Sequence, residues 1–254
     1  MEDFEQRIKE KGWVKFDAAL PPERVDAIRT ALDKVYETQR ELQIKNGVAA
    51  NLGGIVHCVL GFEDALDGFL ADLPLYDYIS RYFAKPFILN NYGGVINFPG
   101  QESYVRNPHR DVRDFTYDLR LMMNMLVMVD DFTVENGATH VLEGSHNALA
   151  PDEKEIFDER SIQLTGKAGD IILWDSNLLH AAGHNKTDKT RRALTLCFSR
   201  PYIKPSIDFL TAVPPDYFKN QSEFVHVLLG RDARPARDLN EFYQPPENRS
   251  YKMR

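Results

Sequence analysis

The sequence predicts an α+β fold, mainly β, and two observations carry that prediction. From about residue 87 to 200, short β-prone runs recur between Gly, Pro, Asn and Asp, the texture of an antiparallel sandwich or barrel. Ahead of them the chain reads as helical, and helices followed by a run of strands indicate helices backing one sheet. The chain has 254 residues, 43% hydrophobic and 27% charged, an ordinary globular balance. One domain over 1–254 is expected: 1–86 mainly helical support, 87–200 the β core, and 201–254 a tail folding back onto it.

The elements follow in order. After Ala19-Leu20-Pro21-Pro22, the apolar residues Val25, Ile28, Leu32 and Val35 fall at helical spacing. The prolines suit a helix start, where a missing N–H costs little. A second helix is expected over residues 75–83, between Pro74 and Lys85-Pro86. Strands are expected at 87–90, 94–98, 119–129, 139–142, 161–164, 170–174 and 193–199. From about Pro214 the chain reads as short helices and loops.

Composition excludes several partners. A formal charge of −7 gives no support for nucleic acid or an anionic membrane. The start, Met1-Glu2-Asp3-Phe4-Glu5, lacks the basic-then-apolar order of a secretory signal. No apolar run approaches the ~20 residues of a membrane span. Cys58 and Cys197 are far apart and in no C-x-x-C arrangement, so a Cys-rich zinc site is excluded. Both read as buried small hydrophobes in a reducing compartment, and the cytoplasm is the expected location.

The chemistry lies elsewhere. In His109-Arg110-Asp111 two metal ligands stand two residues apart, and on an extended segment residues i and i+2 share a face. A second, distant His would complete a facial triad with open positions. Alone the motif is weak, because a surface His beside an unrelated Asp gives the same three letters. Further weight comes from Asp170 to Asp175, His180, Gly183 and then Arg191-Arg192-Ala193-Leu194-Thr195: a strand, a His, a turn and an Arg-led strand. Alternation separates that last strand into two faces. Arg191, Ala193, Thr195, Cys197 and Ser199 form a small, polar face suited to lining a cavity. Arg192, Leu194, Leu196 and Phe198 form a bulky face suited to packing on helices. Arg191 could clamp a carboxylate with two parallel hydrogen bonds, although a solvated charge at a strand start remains the plain alternative.

These residues carry a family resemblance. His109-Arg110-Asp111, then Asp130-Asp131-Phe132 through Asn136-Gly137-Ala138-Thr139, then Gly144-Ser145-His146, then His180 with an Arg eleven residues later, resembles the phytanoyl-CoA dioxygenase family over most of the chain. The resemblance implies a double-stranded β-helix (jelly-roll, cupin-like) core, Fe(II), and 2-oxoglutarate and O2 as co-substrates. Carried over by position, His109, Asp111 and His180 are the iron ligands and catalytic centre, and Arg191 binds the distal carboxylate of 2-oxoglutarate. The implied reaction is hydroxylation of an unactivated C–H bond with release of succinate and CO2. Desaturation and ring closure use the same iron. Asp111 argues against a halogenase, in which a small residue there leaves room for halide.

Two departures stand out. Ala182 takes the place of a Ser or Thr that helps bind 2-oxoglutarate, and Glu143 that of a Pro. Asn124, polar among Met122, Met123 and Met125, either contacts 2-oxoglutarate or makes a structural hydrogen bond. His184 competes with His180, but Gly183 and Asn185 disfavour the helix an i, i+4 zinc pair needs. His140 and His146 read as local hydrogen-bonding residues, while His57 and His226 give no signal. If the H-x-D strand continues, Arg113 shares its metal-facing side. With Arg106, Tyr104, Asn97 and Arg200 it suits a polar or anionic small molecule, and the expected substrate is a small polar metabolite. Two rival readings remain: another metal-dependent enzyme, an isomerase or hydrolase, on a cupin-like barrel, or a non-catalytic binding module.

Overall fold

A computed structural model describes residues 1–50, 52–101 and 103–252. Among the described residues nine strands form two sheets: β1 (Trp13–Phe16), β2 (Ile55–His57), β3 (Ile88–Asn97), β4 (Met122–Met128), β5 (His140–Val141), β6 (Ile162–Gln163), β7 (Ile171–Asp175), β8 (His180–Ala181) and β9 (Arg191–Ser199). The larger sheet has the order β1-β7-β4-β9-β3-β2, antiparallel throughout, and the smaller is β6-β5-β8. This is the expected double-stranded β-helix.

The two faces of the large sheet bury different cores. Odd-numbered residues of β4 and β7, with Leu194, Leu196 and Phe198 of β9, pack on the helices. Leu126, Met128, Ile172, Trp174 and Ala193 point between the sheets, where they meet Val141 and Leu164. The central strands are apolar on both faces because both faces are covered. Helix α1 (Glu2–Lys11) precedes β1. The long α2 (Pro22–Lys45) starts on Pro22 and buries Val25, Ile28, Ala31, Leu32 and Val35, each large side chain worth roughly 1.5–3 kcal/mol.

The same helix closes a sheet edge. The Gln39 side chain accepts from the His57 N–H at 2.9 Å and donates at 2.5 Å to the His57 carbonyl, while Gln43 donates to the Ile55 carbonyl at 2.9 Å. Two amides one helical turn apart thus satisfy backbone groups of the edge strand β2 as a further strand would.

Several elements differ from the sequence reading. Segment 1–86 is not only helical support, because β1 and β2 join opposite edges of the large sheet. Residues 87–90 and 94–98 are parts of one strand, β3, running through Asn90 and Gly93-Gly94. A Cβ on Gly93 would lie 2.3 Å from the Val56 carbonyl oxygen, so glycine here permits the close crossing of β2 and does not mark a turn. Asn90 is the extra residue of a bulge, because the register with β9 jumps from Leu89 to Asn91.

Helices α3 (Asp64–Ala71) and α4 (Tyr76–Phe83) follow β2, and α5 (Glu153–Arg160) leads into β6. The tail adds α6 (Phe209–Ala212) and α7 (Glu223–Leu228), which send Phe209, Val225 and Leu228 into the helix-side core. Cys58 and Cys197 are buried free thiols. Among the described residues no helix is long and apolar enough to cross a membrane.

Candidate metal centre

His109 and His180 are joined backbone to backbone. The His109 N–H donates to the His180 carbonyl at 3.0 Å, and the His180 N–H returns the bond at 3.1 Å. This isolated antiparallel bridge sets the two rings 4.4 Å apart, centroid to centroid. Asp111 already lies in a turn, so the extended H-x-D segment expected from sequence ends before its carboxylate. The turn nonetheless brings the carboxylate back: its oxygens lie 3.5 Å from His109 Nε2 and 3.4 Å from His180 Nε2. Among the described residues these three form the one cluster of ligating side chains able to share an ion, with all ligand atoms within 4.8 Å. Metal–ligand bonds of about 2 Å span such gaps.

The protonation pattern suits a divalent cation. His109 Nδ1 is 2.8 Å from the Asn107 carbonyl, and His180 Nδ1 is 3.0 Å from the Leu178 carbonyl. A carbonyl can only accept, so Nδ1 carries the proton in each ring and Nε2 presents a lone pair to the site. Burial pulls the His180 pKa down, only partly opposed by Asp111. At His109 burial acts the same way but the hydrogen bond and charge of Asp111 outweigh it, so its pKa is raised. Burial favours the neutral Asp111 acid, yet His180, His109 and Arg113 hold its carboxyl below the usual range. The carboxylate is ionised.

The residue between the two ligands points the other way. Arg110 donates to the Asn177 carbonyl at 2.7 Å, to the Ser145 carbonyl at 3.0 Å, and to both oxygens of Glu153 at 2.5 Å. Ser145 Oγ in turn accepts from the Leu179 N–H at 2.8 Å. The Gly144-Ser145 turn therefore ties the ligand loop to the segment carrying His180. Sequence reading missed Arg110; its signal was position alone, the middle of H-x-D.

Arg191 is buried at 2% exposure, on the cavity face that strand alternation gave it. One Nη donates to the Gly137 carbonyl at 2.8 Å, and the guanidinium sits 4.3 Å over the Phe132 ring. Its Nε has no hydrogen-bond partner among the described residues. Burial draws its pKa down to about 10, which leaves it protonated at neutral pH. Its neighbour Arg192 faces the helices and is neutralised by Asp33 of α2 and by Asp130. Parity separates a paired cation from one with a free donor.

A cavity of about 860 Å³ is lined by His109, Asp111 and His180, by Arg191, and by Asn124, Tyr104 and Arg113. Asn124 makes the structural hydrogen bond raised for it, its amide donating to Ser176 Oγ at 2.8 Å, and it also lies on the cavity wall. Arg113 lines the cavity, but not by continuation of a strand; its φ of 64° ends any extended run. Asn97 is not on this wall. Its amide is spent on the Gly183 carbonyl at 3.1 Å, holding the turn before β9. Arg106 donates to the Gln101 carbonyl and lines a separate crevice. Arg200 turns back to the carbonyls of Phe83 and Arg120.

Of the other histidines, His57 lines the cavity outside the triad, His184 is exposed, His140 bonds Ser161, His146 bonds the Lys9 carbonyl and His226 the Phe218 carbonyl. Trp174 and Lys204 are among the cavity residues that escaped the sequence reading. Trp174 sits 5.2 Å from the His180 ring, and its buried Nε1 has no partner among the described residues.

A family model described as phytanoyl-CoA dioxygenase (PhyH) matches residues 8–193. The chain belongs to the phytanoyl-CoA dioxygenase family. The multifunctional dioxygenase ausE of Penicillium brasilianum is 35% identical over 251 residues, covering 88% of this chain and 80% of that one. The iron/alpha-ketoglutarate-dependent dioxygenase penM of Penicillium thymicola is 36% identical over 132 residues, 48% of this chain and 41% of its own. Among solved structures, the non-haem alpha-ketoglutarate-dependent carbocyclase SnoK from nogalamycin biosynthesis superposes with a TM-score of 0.63 at 18% identity, covering 85% of this chain and 91% of that one. The epimerase SnoN, in complex with Fe3+, alpha-ketoglutarate and nogalamycin RO, gives 0.60 at 17%, covering 84% and 90%.

Membership of the phytanoyl-CoA dioxygenase family makes this chain an enzyme of the non-haem iron, 2-oxoglutarate-dependent dioxygenase type, with iron and 2-oxoglutarate as its cofactors. The residues present fit both. Two Nε2 lone pairs and one ionised carboxylate are an incomplete N/O ligand set, and a buried guanidinium with an unpartnered Nε is the type of donor that pairs with an oxygen anion.

Proposed function

We propose that His109, Asp111 and His180 hold Fe(II), that Arg191 binds the distal carboxylate of 2-oxoglutarate, and that the enzyme hydroxylates an unactivated C–H bond of a small polar metabolite. The observation that carries this reading is the shared cavity: His109, Asp111 and His180, whose ligand atoms lie within 4.8 Å of one another, and Arg191, whose buried Nε has no partner among the described residues, line the same space. Iron, 2-oxoglutarate and dioxygen together supply an oxidant that no side chain can, with 2-oxoglutarate leaving as succinate and CO2.

The chain's own part is positional. The two histidine N–H···O=C bonds fix which nitrogen faces the metal. Asn124, tethered by Ser176, lines the cavity, and Phe132 packs against the Arg191 guanidinium, 4.3 Å from ring centroid to Cζ. Ala182 lines the same cavity without a hydroxyl, so Arg191 carries more of the co-substrate contact than where a Ser or Thr stands.

The test is a succinate-release screen over amino acids, sugars, nucleotides and acyl thioesters, with products weighed by mass spectrometry. Gain of one oxygen atom is the expected result. Loss of two hydrogens would replace hydroxylation by desaturation or ring closure, and an unchanged mass by epimerisation. Turnover that needs no 2-oxoglutarate would replace the reading by a metal-dependent isomerase or hydrolase.

A further inference from the structure

Resting on the assignment above, we infer that Arg113 and Lys204 form an anion-binding rim that selects, among small polar metabolites, those carrying an acidic group, a carboxylate or a phosphate. The inference starts from charge. Among the described residues, Asp111 is the one carboxylate lining the cavity, whereas Arg110, Arg113, Arg191 and Lys204 all line it. Three of these five charged residues are already engaged: Asp111 belongs to the metal, Arg191 to 2-oxoglutarate, and Arg110 is neutralised by Glu153. Arg113 and Lys204 remain. Among the described residues neither side chain makes a hydrogen bond or ion pair, although the chain as a whole is acidic at −7.

Both positions are held in place by features otherwise unexplained. Arg113 sits in the left-handed region at φ 64°, which a residue with a Cβ adopts only when its surroundings impose it. Here the Arg113 N–H donates to the Arg110 carbonyl at 3.1 Å, and Asn177 Oδ1 takes the Thr116 N–H at 3.0 Å just beyond. Its charge is felt by both Asp111 and Tyr104. Lys204 arrives from the segment after β9. Asn90, the bulged residue of β3, donates to the Lys204 carbonyl at 3.3 Å and accepts from the Ser206 N–H at 3.2 Å and the Ser206 hydroxyl at 3.1 Å. The bulge therefore staples this segment to the barrel, with Ile203, Lys204 and Ser206 on the cavity wall.

The remaining wall is mixed, with Asn91, Asn107, Thr139 and Thr195 beside apolar Val95, Val105 and Ile203. A volume of about 860 Å³ exceeds what 2-oxoglutarate fills and falls in the range of about 300–1,000 Å³ that accommodates drug-sized ligands. An acidic metabolite meets the rim with its anionic group, and the octyl chain of a simple probe can rest on the apolar patches.

The experiment takes the enzyme with Fe(II) and 2-oxoglutarate under anaerobic conditions. It is titrated with octanoate, octyl phosphate, methyl octanoate and octylamine, and binding is read from the visible charge-transfer band and tryptophan fluorescence. One of the two anions should bind about tenfold more tightly than the ester, and which one does so distinguishes carboxylate from phosphate recognition. In the double variant Arg113→Glu/Lys204→Glu the preference should pass to octylamine, a gain that misfolding cannot produce. Should that variant not fold, Arg113→Gln/Lys204→Gln should bind anion and ester equally. Equal binding of anion and ester by the native enzyme, no binding of any of the four, or an anion preference that survives in the double variant overturns the rim. Absence of the band itself overturns the cofactor assignment instead.

Discussion

Arg110 and Glu153 form a two-pronged ion pair, with both guanidinium–carboxylate hydrogen bonds at 2.5 Å, directly behind the loop that presents His109 and Asp111. The pair joins α5 to the ligand loop, so its integrity reaches the metal through the backbone and not through contact with the ion.

Glu153→Gln should therefore weaken both fold and site. The exchange removes one charge from a partly exposed pair and costs about 1 kcal/mol, a fall of roughly 2–4 °C in Tm. The Arg110 hydrogen bonds hold the Glu153 carboxyl below its ordinary value of 4.5. An acid with a depressed folded-state pKa stabilises above its unfolded value and loses that contribution as pH falls through the folded one. The native and Glu153→Gln melting points should thus differ near neutrality and converge in acid below 4.5. Melting curves across that range check it, and a gap constant with pH would contradict the ion pair's role.

Arg191→Gln should chiefly raise the requirement for 2-oxoglutarate. Losing a charge-assisted carboxylate contact costs about 2–3 kcal/mol, or roughly thirty- to hundredfold in affinity, and leaves the metal ligands in place. Succinate release measured against 2-oxoglutarate concentration separates the two effects. An unchanged half-saturation point would show that the carboxylate binds elsewhere.

The sequence was most informative where side-chain chemistry repeats at a backbone period. Val25, Ile28, Leu32 and Val35 announce α2, and the alternation of Arg191 with Arg192 separates cavity from helix face, because burial acts on every second or every third to fourth residue. Elements with few buried positions were illegible: α1 buries only Phe4 and Ile8, and β8 has two residues. At the centre, His109 and His180 were readable as types and spacing. The turn that returns Asp111 to them depends on Arg110, Asn177 and Ser145, partners distant in sequence. Asn97 and Arg106 looked like substrate residues because polarity near a motif says nothing of direction; the Gly183 and Gln101 carbonyls claim them.

Replacing both Gln39 and Gln43 by Ala should loosen the strand that walls one side of the cavity. Ile55, Val56 and His57 all line that space, and the two amides supply three hydrogen bonds to β2. Their loss should cost about 1–2 kcal/mol and speed amide exchange at His57 before the central strands respond. Uniform acceleration across β4 and β9 as well would mean global unfolding and no local edge effect.

The central claim is that His109, Asp111 and His180 hold one iron with room left for 2-oxoglutarate. Anaerobic addition of Fe(II) and 2-oxoglutarate should produce a weak visible charge-transfer band in the native protein, and His180→Ala should abolish it. A native protein without the band, or a His180→Ala variant that keeps it at full strength, would contradict the account.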